Sequence, residues 1–410
     1  MPFDLLKSMD SNLNKEFDYF KALNLSIDVT RGKPHSDQLD LSQSLLDAPL
    51  KSWIVAGSDI RNYGDPLGIM EARKLGAEIL DGKVETTLAG EQSSLLLIYQ
   101  IITALYLHGM DTPWRSLDKP KIICPVPGFD RHFRIFEDFG IEMLNLPLEG
   151  DGPDIDAYKE LLNNHSNIVG IIAVPKHSNP SGDIYSIEKI QNIFEFGLAY
   201  SADFCFLFDH AYIVHDLEEN MPTHPILNIA KESGALETTA VMTSFSKITF
   251  GGAGLSFFSA GKRLFNLMVK QRAAMIICPD KINQQRHLQF LSNTNQIKEH
   301  MRLHAKIIKP KFSLIQEKLS SIPSEIGSFK IPKGGYFVSF NTKLPIATRV
   351  VEIANSLGVK FTPAGATFPY GKDPGNSNIR IAPSFLNIQD LSVAMDVFLL
   401  SLKLAHQEVN

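Results

Sequence analysis

Between residues 121 and 260 the sequence alternates short apolar runs with longer amphipathic stretches, and this alternation constrains the fold more than any other feature. The runs at 168–174 and 204–208 are almost wholly apolar, and a helical pattern over 187–199 separates them. Uninterrupted apolar strands are typical of parallel sheets buried on both faces. The alternation therefore predicts an α/β fold whose central, mostly parallel sheet is flanked by helices.

Three polar motifs follow three of these apolar runs. They read Asn-Pro-Ser-Gly at 179–182, Asp-His-Ala-Tyr at 209–212 and Ser-Phe-Ser-Lys at 244–247. Ligands of open α/β sheets bind outside the carboxyl ends of the strands, so we expect these motifs to share one crevice. A lysine removed from water has a lowered pKa and can form a Schiff base, and nearby hydroxyls suit a phosphate. Taken alone, Ser-x-Ser-Lys is a weak signal.

The order of the three motifs resembles that of the fold-type I aminotransferases that use pyridoxal 5′-phosphate (PLP). Further stretches are similar to the subclass Ic aspartate aminotransferases: Thr-Arg-Gly-Lys-Pro at 30–34, Gln-Leu-Asp-Leu-Ser at 38–42, Pro-Val-Pro-Gly-Phe-Asp-Arg-His-Phe at 125–133 and Ser-Lys-Ile-Thr-Phe-Gly-Gly-Ala-Gly at 246–254. The resemblance extends from about residue 28 to about residue 383. It implies a large PLP-binding domain of residues 46–300 and a smaller α/β domain built from residues 1–45 and 301–410.

The resemblance also implies which residues are catalytic. Lys247 matches the lysine that forms the Schiff base with PLP and moves protons at the substrate Cα. Asp209 matches the acid that pairs with the pyridinium nitrogen, and Tyr212 and Asn179 match donors to the phenolic oxygen. Simpler alternatives remain for two of these residues, since Asp209 suits a helix cap and Asn179 precedes a proline, as turn residues often do.

Other residues match further contacts with the cofactor. Phe129 matches the aromatic residue that stacks on the ring, with a place in the core as its alternative. The residues that match phosphate contacts are Gly90, Glu91, Gln92, Ser93, Ser244 and Ser246. Glu91 is an unusual neighbour for a phosphate, so we expect its side chain to turn away. Tyr63 matches a tyrosine that crosses from a neighbouring subunit, which implies a homodimer.

Substrate recognition is implied at the chain ends. Arg380 matches the arginine that binds the α-carboxylate of the substrate. A planar guanidinium suits this role because it donates two parallel hydrogen bonds to a carboxylate. Gly32 matches a loop glycine that lets the chain approach the substrate. A dicarboxylate needs a second cation, because a buried carboxylate must be paired. Lys33 is the first choice, followed by Arg131 and Arg31, although for each of them taken singly a surface or interface ion pair is the favoured alternative.

One departure concerns the phosphate. Most of the superfamily places an arginine about eight positions after the lysine, and here Leu255 occupies that position. The subgroup resemblance implies the same absence. The second counter-charge for the phosphate is therefore not assigned from the sequence.

The leading interpretation is an aspartate aminotransferase that transfers the amino group of L-aspartate to 2-oxoglutarate. The alternatives are a transaminase of another amino acid, a PLP-dependent β-lyase or synthase, a PLP-sensing regulator and a non-catalytic scaffold. A regulator would need a DNA-binding module ahead of the core, and only about 27 residues precede residue 28.

Composition excludes several other classes. The net charge is −5 and no long basic block is present, which argues against nucleic acid as a partner. No apolar stretch approaches the ~20 residues of a membrane span, and the N-terminus does not read as a secretory signal. The three cysteines lie far apart, so a disulfide framework is not expected, and His210 and His215 are five positions apart, a poor spacing for metal ligands on a helix, so no metal site is expected. We expect a cytoplasmic protein.

Overall fold

The computed structural model describes the backbone of residues 2–409 and the side chains of residues 12–409. The helices are α1 Pro2–Ala22, α2 Ser36–Asp40, α3 Ser44–Asp47, α4 Met70–Leu80, α5 Ser94–Leu107, α6 Asp130–Asp138, α7 Ile155–Asn164, α8 Ile187–Tyr200, α9 Ile226–Glu232, α10 Lys262–Ala273, α11 Lys281–Phe290, α12 Thr294–Leu319, α13 Ala347–Ser356 and α14 Ile388–Gln407. The strands are β1 Ile27–Asp28, β2 Ile54–Val55, β3 Ser58–Asp59, β4 Thr87–Gly90, β5 Lys121–Val126, β6 Glu142–Pro147, β7 Ile168–Ala173, β8 Cys205–Asp209, β9 Thr239–Ser244, β10 Ser256–Ala260, β11 Gly327–Lys330, β12 Val338–Thr342, β13 Val359–Lys360 and β14 Asn378–Ile381.

A seven-stranded sheet forms the centre of the molecule, with strand order β4-β10-β9-β8-β7-β5-β6. The β5–β6, β5–β7, β7–β8 and β8–β9 pairs are parallel. Only β10 runs the other way, since it is antiparallel to both of its neighbours, β4 and β9. The predicted α/β class with a mostly parallel central sheet is confirmed.

Strand β8 shows why the apolar runs are continuous. Phe204, Phe206 and Phe208 pack into one hydrophobic cluster, whereas Cys205 and Leu207 pack into another. Successive side chains of a strand point to opposite faces of the sheet, so both faces of β8 are covered. The sequence therefore has no polar alternation at this strand, as predicted for a buried parallel sheet.

A third hydrophobic cluster lies outside the central sheet. It is built mostly from residues 308–405, with Leu13 and Val29 from the beginning of the chain. Its sheet has the order β11-β12-β14 and is antiparallel, and β1 pairs in parallel with β13. Both chain ends thus contribute to this cluster. The domain limits at 45/46 and 300/301 stay a prediction, and the second of them falls inside α12.

The predicted elements around the site agree with the observed ones to within a few residues. The helix predicted at 187–199 is α8, and the apolar runs at 168–174 and 204–208 match β7 and β8 to within one residue at each end. Within residues 2–409, no helix is both long enough and apolar enough to cross a bilayer.

Candidate active site

The three motifs meet at one edge of the central sheet. Asp209 is the last residue of β8, and Ser244 is the last residue of β9. Lys247 follows β9 by three residues, and Asn179 follows β7 through a short loop. Because β7, β8 and β9 are adjacent and parallel, their carboxyl ends lie side by side. The topology thus brings the acid, the lysine and the amide to one crevice.

Asp209 is buried, and only one of its two carboxylate oxygens has a hydrogen-bond partner among the described residues. Its Oδ2 accepts a hydrogen bond of 3.0 Å from His132 Nε2, and the His132 side chain is buried as well. Its Oδ1 is buried without a partner in the described part of the chain. A buried carboxylate oxygen normally has a donor, so this atom marks the place of a ligand donor. The motif at 125–133 contains His132, but the sequence analysis did not predict its contact with Asp209. The position of His132, three residues after the predicted stacking residue Phe129, is the sequence signal that could have indicated it.

Lys247 and Tyr212 lie together beside this acid. The Lys247 Nζ lies 4.9 Å from the centroid of the Tyr212 ring. Burial lowers the pKa of the Lys247 amine, and the charge of Asp209 partly opposes this shift. Burial also raises the pKa of the Tyr212 phenol, while the Arg380 cation opposes that rise. At neutral pH, Tyr212 is therefore a protonated hydrogen-bond donor, and the neutral form of Lys247 is favoured relative to that of an exposed lysine.

The predicted phosphate residues lie where two loops touch. Ser246 Oγ donates to the Gln92 carbonyl at 2.6 Å and lies 3.2 Å from Ser244 Oγ. Ser93 is the N-cap residue of α5, and its side chain makes no capping hydrogen bond. The first N–H groups of a helix have no partner within the helix and carry a partial positive charge. Hydroxyls and amide hydrogens are therefore grouped as an anion requires.

Glu91 turns its side chain into the protein. Its backbone has a left-handed φ of 65°, and its Oε1 accepts a hydrogen bond of 2.6 Å from Arg272 Nη1. The same Nη1 also donates to Gln100 Oε1 at 2.8 Å. Leu255, where the superfamily arginine would stand, is buried just before β10. The cation beneath this loop therefore comes from α10, which the sequence did not reveal.

A surface cavity of about 720 Å³ opens beside this loop. Its wall includes Tyr63, Gly90, Glu91 and Gln92, together with residues 252–255. The Tyr63 side chain is largely exposed to solvent. Tyr63 thus lies near the phosphate loop of its own chain with its ring free to contact another molecule.

Arg380 lies at the opposite end of the crevice. Its Nη1 donates to Asp130 Oδ1 at 3.0 Å and lies 3.5 Å from Asn179 Oδ1, while Nε and Nη2 each lie 3.4 Å from Thr362 Oγ1. The guanidinium carbon is 4.9 Å from the centroid of the Phe337 ring. The arginine is therefore buried, oriented by several partners and neutralised by one acid, Asp130.

Gly32 packs against the aromatic ring that supports Arg380. A Cβ atom at this position would overlap the Phe337 ring. Only glycine therefore lets the loop at 30–34 lie this close to the ring beside Arg380.

In the described part of the chain, the three candidates for a second substrate cation, Lys33, Arg31 and Arg131, lack the network of polar partners that orients Arg380. Lys33 Nζ lies 3.7 Å from the centroid of the Phe385 ring, so it makes a cation–π contact rather than an ion pair. Arg31 and Arg131 are exposed, and neither forms a salt bridge within residues 12–409. None of the three is joined to Arg380 by a contact in this structure.

The residues present fit PLP. The unpaired Asp209 Oδ1 suits a protonated ring nitrogen, Lys247 supplies an amine of lowered pKa, and the loop at 90–93 suits a phosphate. Phe129 is half-buried at the N-cap of α6, where its ring contacts His132 edge-on, so it is not part of the hydrophobic core. Fold and site together define a PLP-dependent transferase of fold type I.

Comparison with known proteins agrees with this class. The model of the family described as aspartate amino-transferase matches residues 1–410, and the chain belongs to that family. An aspartate aminotransferase of Corynebacterium glutamicum is 38% identical over 94% of this chain and 90% of its own length. The crystal structure of an aspartate transaminase from the same organism matches with a TM-score of 0.94 at 36% identity, covering 99% of this chain and 97% of that chain.

A more distant solved structure shares the fold. It is an α-aminoadipate aminotransferase from Thermus thermophilus, complexed with N-(5′-phosphopyridoxyl)-L-leucine. The TM-score is 0.76 at 19% identity, with 93% of each chain covered. The family match and the Corynebacterium relative show that the protein is an aminotransferase, as the sequence motifs predict, and PLP is the cofactor of its class.

Proposed function

We propose that this chain catalyses amino transfer from L-aspartate to 2-oxoglutarate, with PLP held by Lys247. The observation that carries the proposal is the arrangement around Tyr212. Its ring lies beside the Lys247 amine, and the Arg380 cation acts on its phenol from the substrate side. A proton-transfer group and a carboxylate receptor thus both lie near one phenol, as reaction at the Cα of an amino acid requires.

Each residue has a distinct task in this reaction. Bound in the crevice, PLP supplies the electron sink for negative charge that develops at the substrate Cα. Asp209 holds the ring nitrogen protonated, and His132 orients that carboxylate through its Oδ2. Lys247, in its neutral form, would accept the proton from the substrate Cα and hold it for return. Tyr212 and Asn179 would donate hydrogen bonds to the phenolic oxygen of the ring.

Substrate binding begins at Arg380. The substrate α-carboxylate takes the position on Nη1 that Asp130 occupies in this structure, so that the guanidinium can offer two parallel donors. For the distal carboxylate, Lys33 stays the first choice. Its amino group would leave the Phe385 ring to reach that carboxylate. Gly32 keeps its loop against Phe337, close to the receptor arginine.

The test is a half-reaction with each amino acid in the absence of any oxo acid. We expect aspartate to yield one equivalent of oxaloacetate per site and then to stop, whereas a β-lyase would continue. Lys33→Ala should lower kcat/KM for aspartate by roughly 30-fold or more, the cost of a lost buried pair, and leave alanine nearly unchanged. Equal wild-type rates for aspartate and alanine would overturn the aspartate assignment but not the transaminase.

The proposal includes a homodimer in which Tyr63 reaches the phosphate of the partner subunit. Its support is the exposed ring of Tyr63 on the wall of the cavity beside the phosphate loop. Mixing inactive Lys247→Ala protein with inactive Tyr63→Ala protein should restore activity, because one mixed dimer contains one intact site. No recovery after proven subunit exchange would contradict the shared site. The cytoplasmic location stays a prediction from the sequence.

A further inference from the structure

Two stretches of the sequence contain buried polar residues that have no task in the site described above. They are Gln-Leu-Asp-Leu-Ser at 38–42 and Pro-Lys-Gly-Gly-Tyr-Phe at 332–337. The side chains of Gln38, Ser42 and Tyr336 are all buried, although they are polar. They come from distant parts of the chain and meet behind the backbone of Lys247. Buried polar side chains of this kind need an explanation.

The hydrogen bonds around Gln38 have a defined direction. Its Oε1 accepts a bond of 3.0 Å from the His35 backbone N–H, so its amide nitrogen faces the other two partners. That nitrogen donates to the Tyr336 hydroxyl oxygen at 2.8 Å and lies 2.9 Å from His304 Nδ1. Because the hydroxyl oxygen already accepts, its hydrogen is free to donate. It donates to the Lys247 carbonyl at 3.2 Å.

A second branch reaches the next carbonyl along the chain. His300 Nε2 lies 2.9 Å from the Ile248 oxygen, 3.2 Å from Ser42 Oγ and 3.1 Å from His304 Nε2. Burial lowers the pKa of His304 to about 3 and also lowers that of His300. Both rings are therefore neutral at physiological pH. These side chains therefore surround the Ile248 carbonyl without adding a charge beside the lysine.

We propose that Tyr336 and Gln38 are positioning residues for Lys247, which they hold through its own backbone carbonyl. This inference rests on the proposed role of Lys247. The residue after Tyr336 is Phe337, whose ring packs on Arg380. One short segment therefore contacts both the backbone of the lysine and the receptor for the substrate carboxylate. A fixed carbonyl limits the positions from which the Lys247 amine can reach the substrate Cα.

The decisive variant is Tyr336→Phe, which removes one hydroxyl and keeps the ring. A matched control exists in Tyr158→Phe, because Tyr158 is also buried and its hydroxyl donates to a backbone carbonyl, that of Ile193, at 3.3 Å. We expect Tyr336→Phe to lower the rate constant of the aspartate half-reaction about three- to tenfold, the worth of one hydrogen bond, with KM within about twofold. Tyr158→Phe should leave both values unchanged.

Two readouts do not depend on turnover. In the apoenzyme, amide hydrogens of residues 245–250 should exchange faster in Tyr336→Phe than in Tyr158→Phe. In the holoenzyme, the pH midpoint of the cofactor absorbance should shift only in Tyr336→Phe. If the two variants behave alike in exchange, absorbance and rate, Tyr336 is merely structural and the inference is overturned.

A second pair of variants tests Gln38, which begins the relay of hydrogen bonds from Gln38 through Tyr336 to the Lys247 carbonyl. Gln38→Leu should repeat the effects of Tyr336→Phe, whereas Gln43→Leu, five positions along and exposed, should not. Borohydride labelling of Lys247 should persist in every one of these variants. Loss of labelling in the wild type would instead refute the proposed function, so the two failures are distinguishable.

Discussion

Two arginine–carboxylate pairs lie at the two ends of the crevice, and they differ in how deeply they are buried. At the phosphate end, Arg272 and Glu91 are 2.6 Å apart, with 3% and 17% of their side chains exposed. At the substrate end, Arg380 and Asp130 are 3.0 Å apart, with 7% and 37% exposed. The arginines are similarly buried, so the difference lies in the acids.

The exposure of the acid decides what each pair can do. When a buried pair is broken, a charge is left without water or partner, so such a pair is fixed. A solvent-exposed acid can be rehydrated at little cost, so its arginine can exchange one carboxylate for another. Arg272 therefore holds the shape of the loop at 90–93 and neutralises Glu91, whereas Arg380 can exchange Asp130 for another carboxylate, as its proposed role requires.

The largest expected effect is at the fixed pair, Arg272 and Glu91. Arg272→Leu should lower the unfolding free energy of the apoenzyme by about 3 kcal/mol, because Glu91 is left partly buried and unpaired. It should also weaken PLP binding, because an uncompensated carboxylate then lies behind the phosphate. Urea unfolding and a PLP titration measure the two effects.

Helix α10 provides the control for that variant. Arg263 pairs with Asp111 and Asp203, and a third of its side chain is exposed. Arg263→Leu should cost less than about 1 kcal/mol. In the double variant Arg272→Leu/Glu91→Gln, much of the lost stability should return. If Arg263→Leu and Arg272→Leu are equally harmful, the distinction between fixed and exchangeable pairs fails.

The smallest expected effect is at the exchangeable pair, Arg380 and Asp130. Here the substitution should strengthen ligand binding, whereas Arg272→Leu should weaken it. Asp130→Asn removes the anion that competes for Arg380, so KM for aspartate should fall about two- to fivefold. Stability should change by less than about 1 kcal/mol. Asp138→Asn, at the exposed end of the same helix, is the control. A rise in KM would show that Asp130 assists the substrate instead of competing with it.

The parts of the crevice that a sequence can predict are those that follow directly from local patterns. Runs such as 204–208 predict buried parallel strands, and the carboxyl ends of adjacent parallel strands must meet. These two rules are enough to bring Asp209 and Lys247 to one crevice. Family motifs add Arg380 and Gly32, which no local pattern connects with the sheet.

The residues that the sequence does not reveal act over long separations along the chain. Arg272 meets Glu91 across 181 positions, and Asp130 meets Arg380 across 250. Nothing in the pattern of α10 or α6 distinguishes these charges from ordinary charges of a helix surface. The relay from Gln38 to Lys247 is of the same kind, because its members are buried only once three distant segments pack. Such contacts depend on tertiary packing, which a single sequence does not specify by pattern.

The claim on which the whole account depends is that Lys247 holds the cofactor covalently. The most direct test is to load the protein with PLP, reduce it with borohydride and locate the modified peptide by mass spectrometry. We expect one pyridoxyl group per chain, on Lys247, and none on the buried Lys176 or Lys281, which are held in ion pairs. Labelling of another lysine, with Lys247 unmodified, would contradict the account.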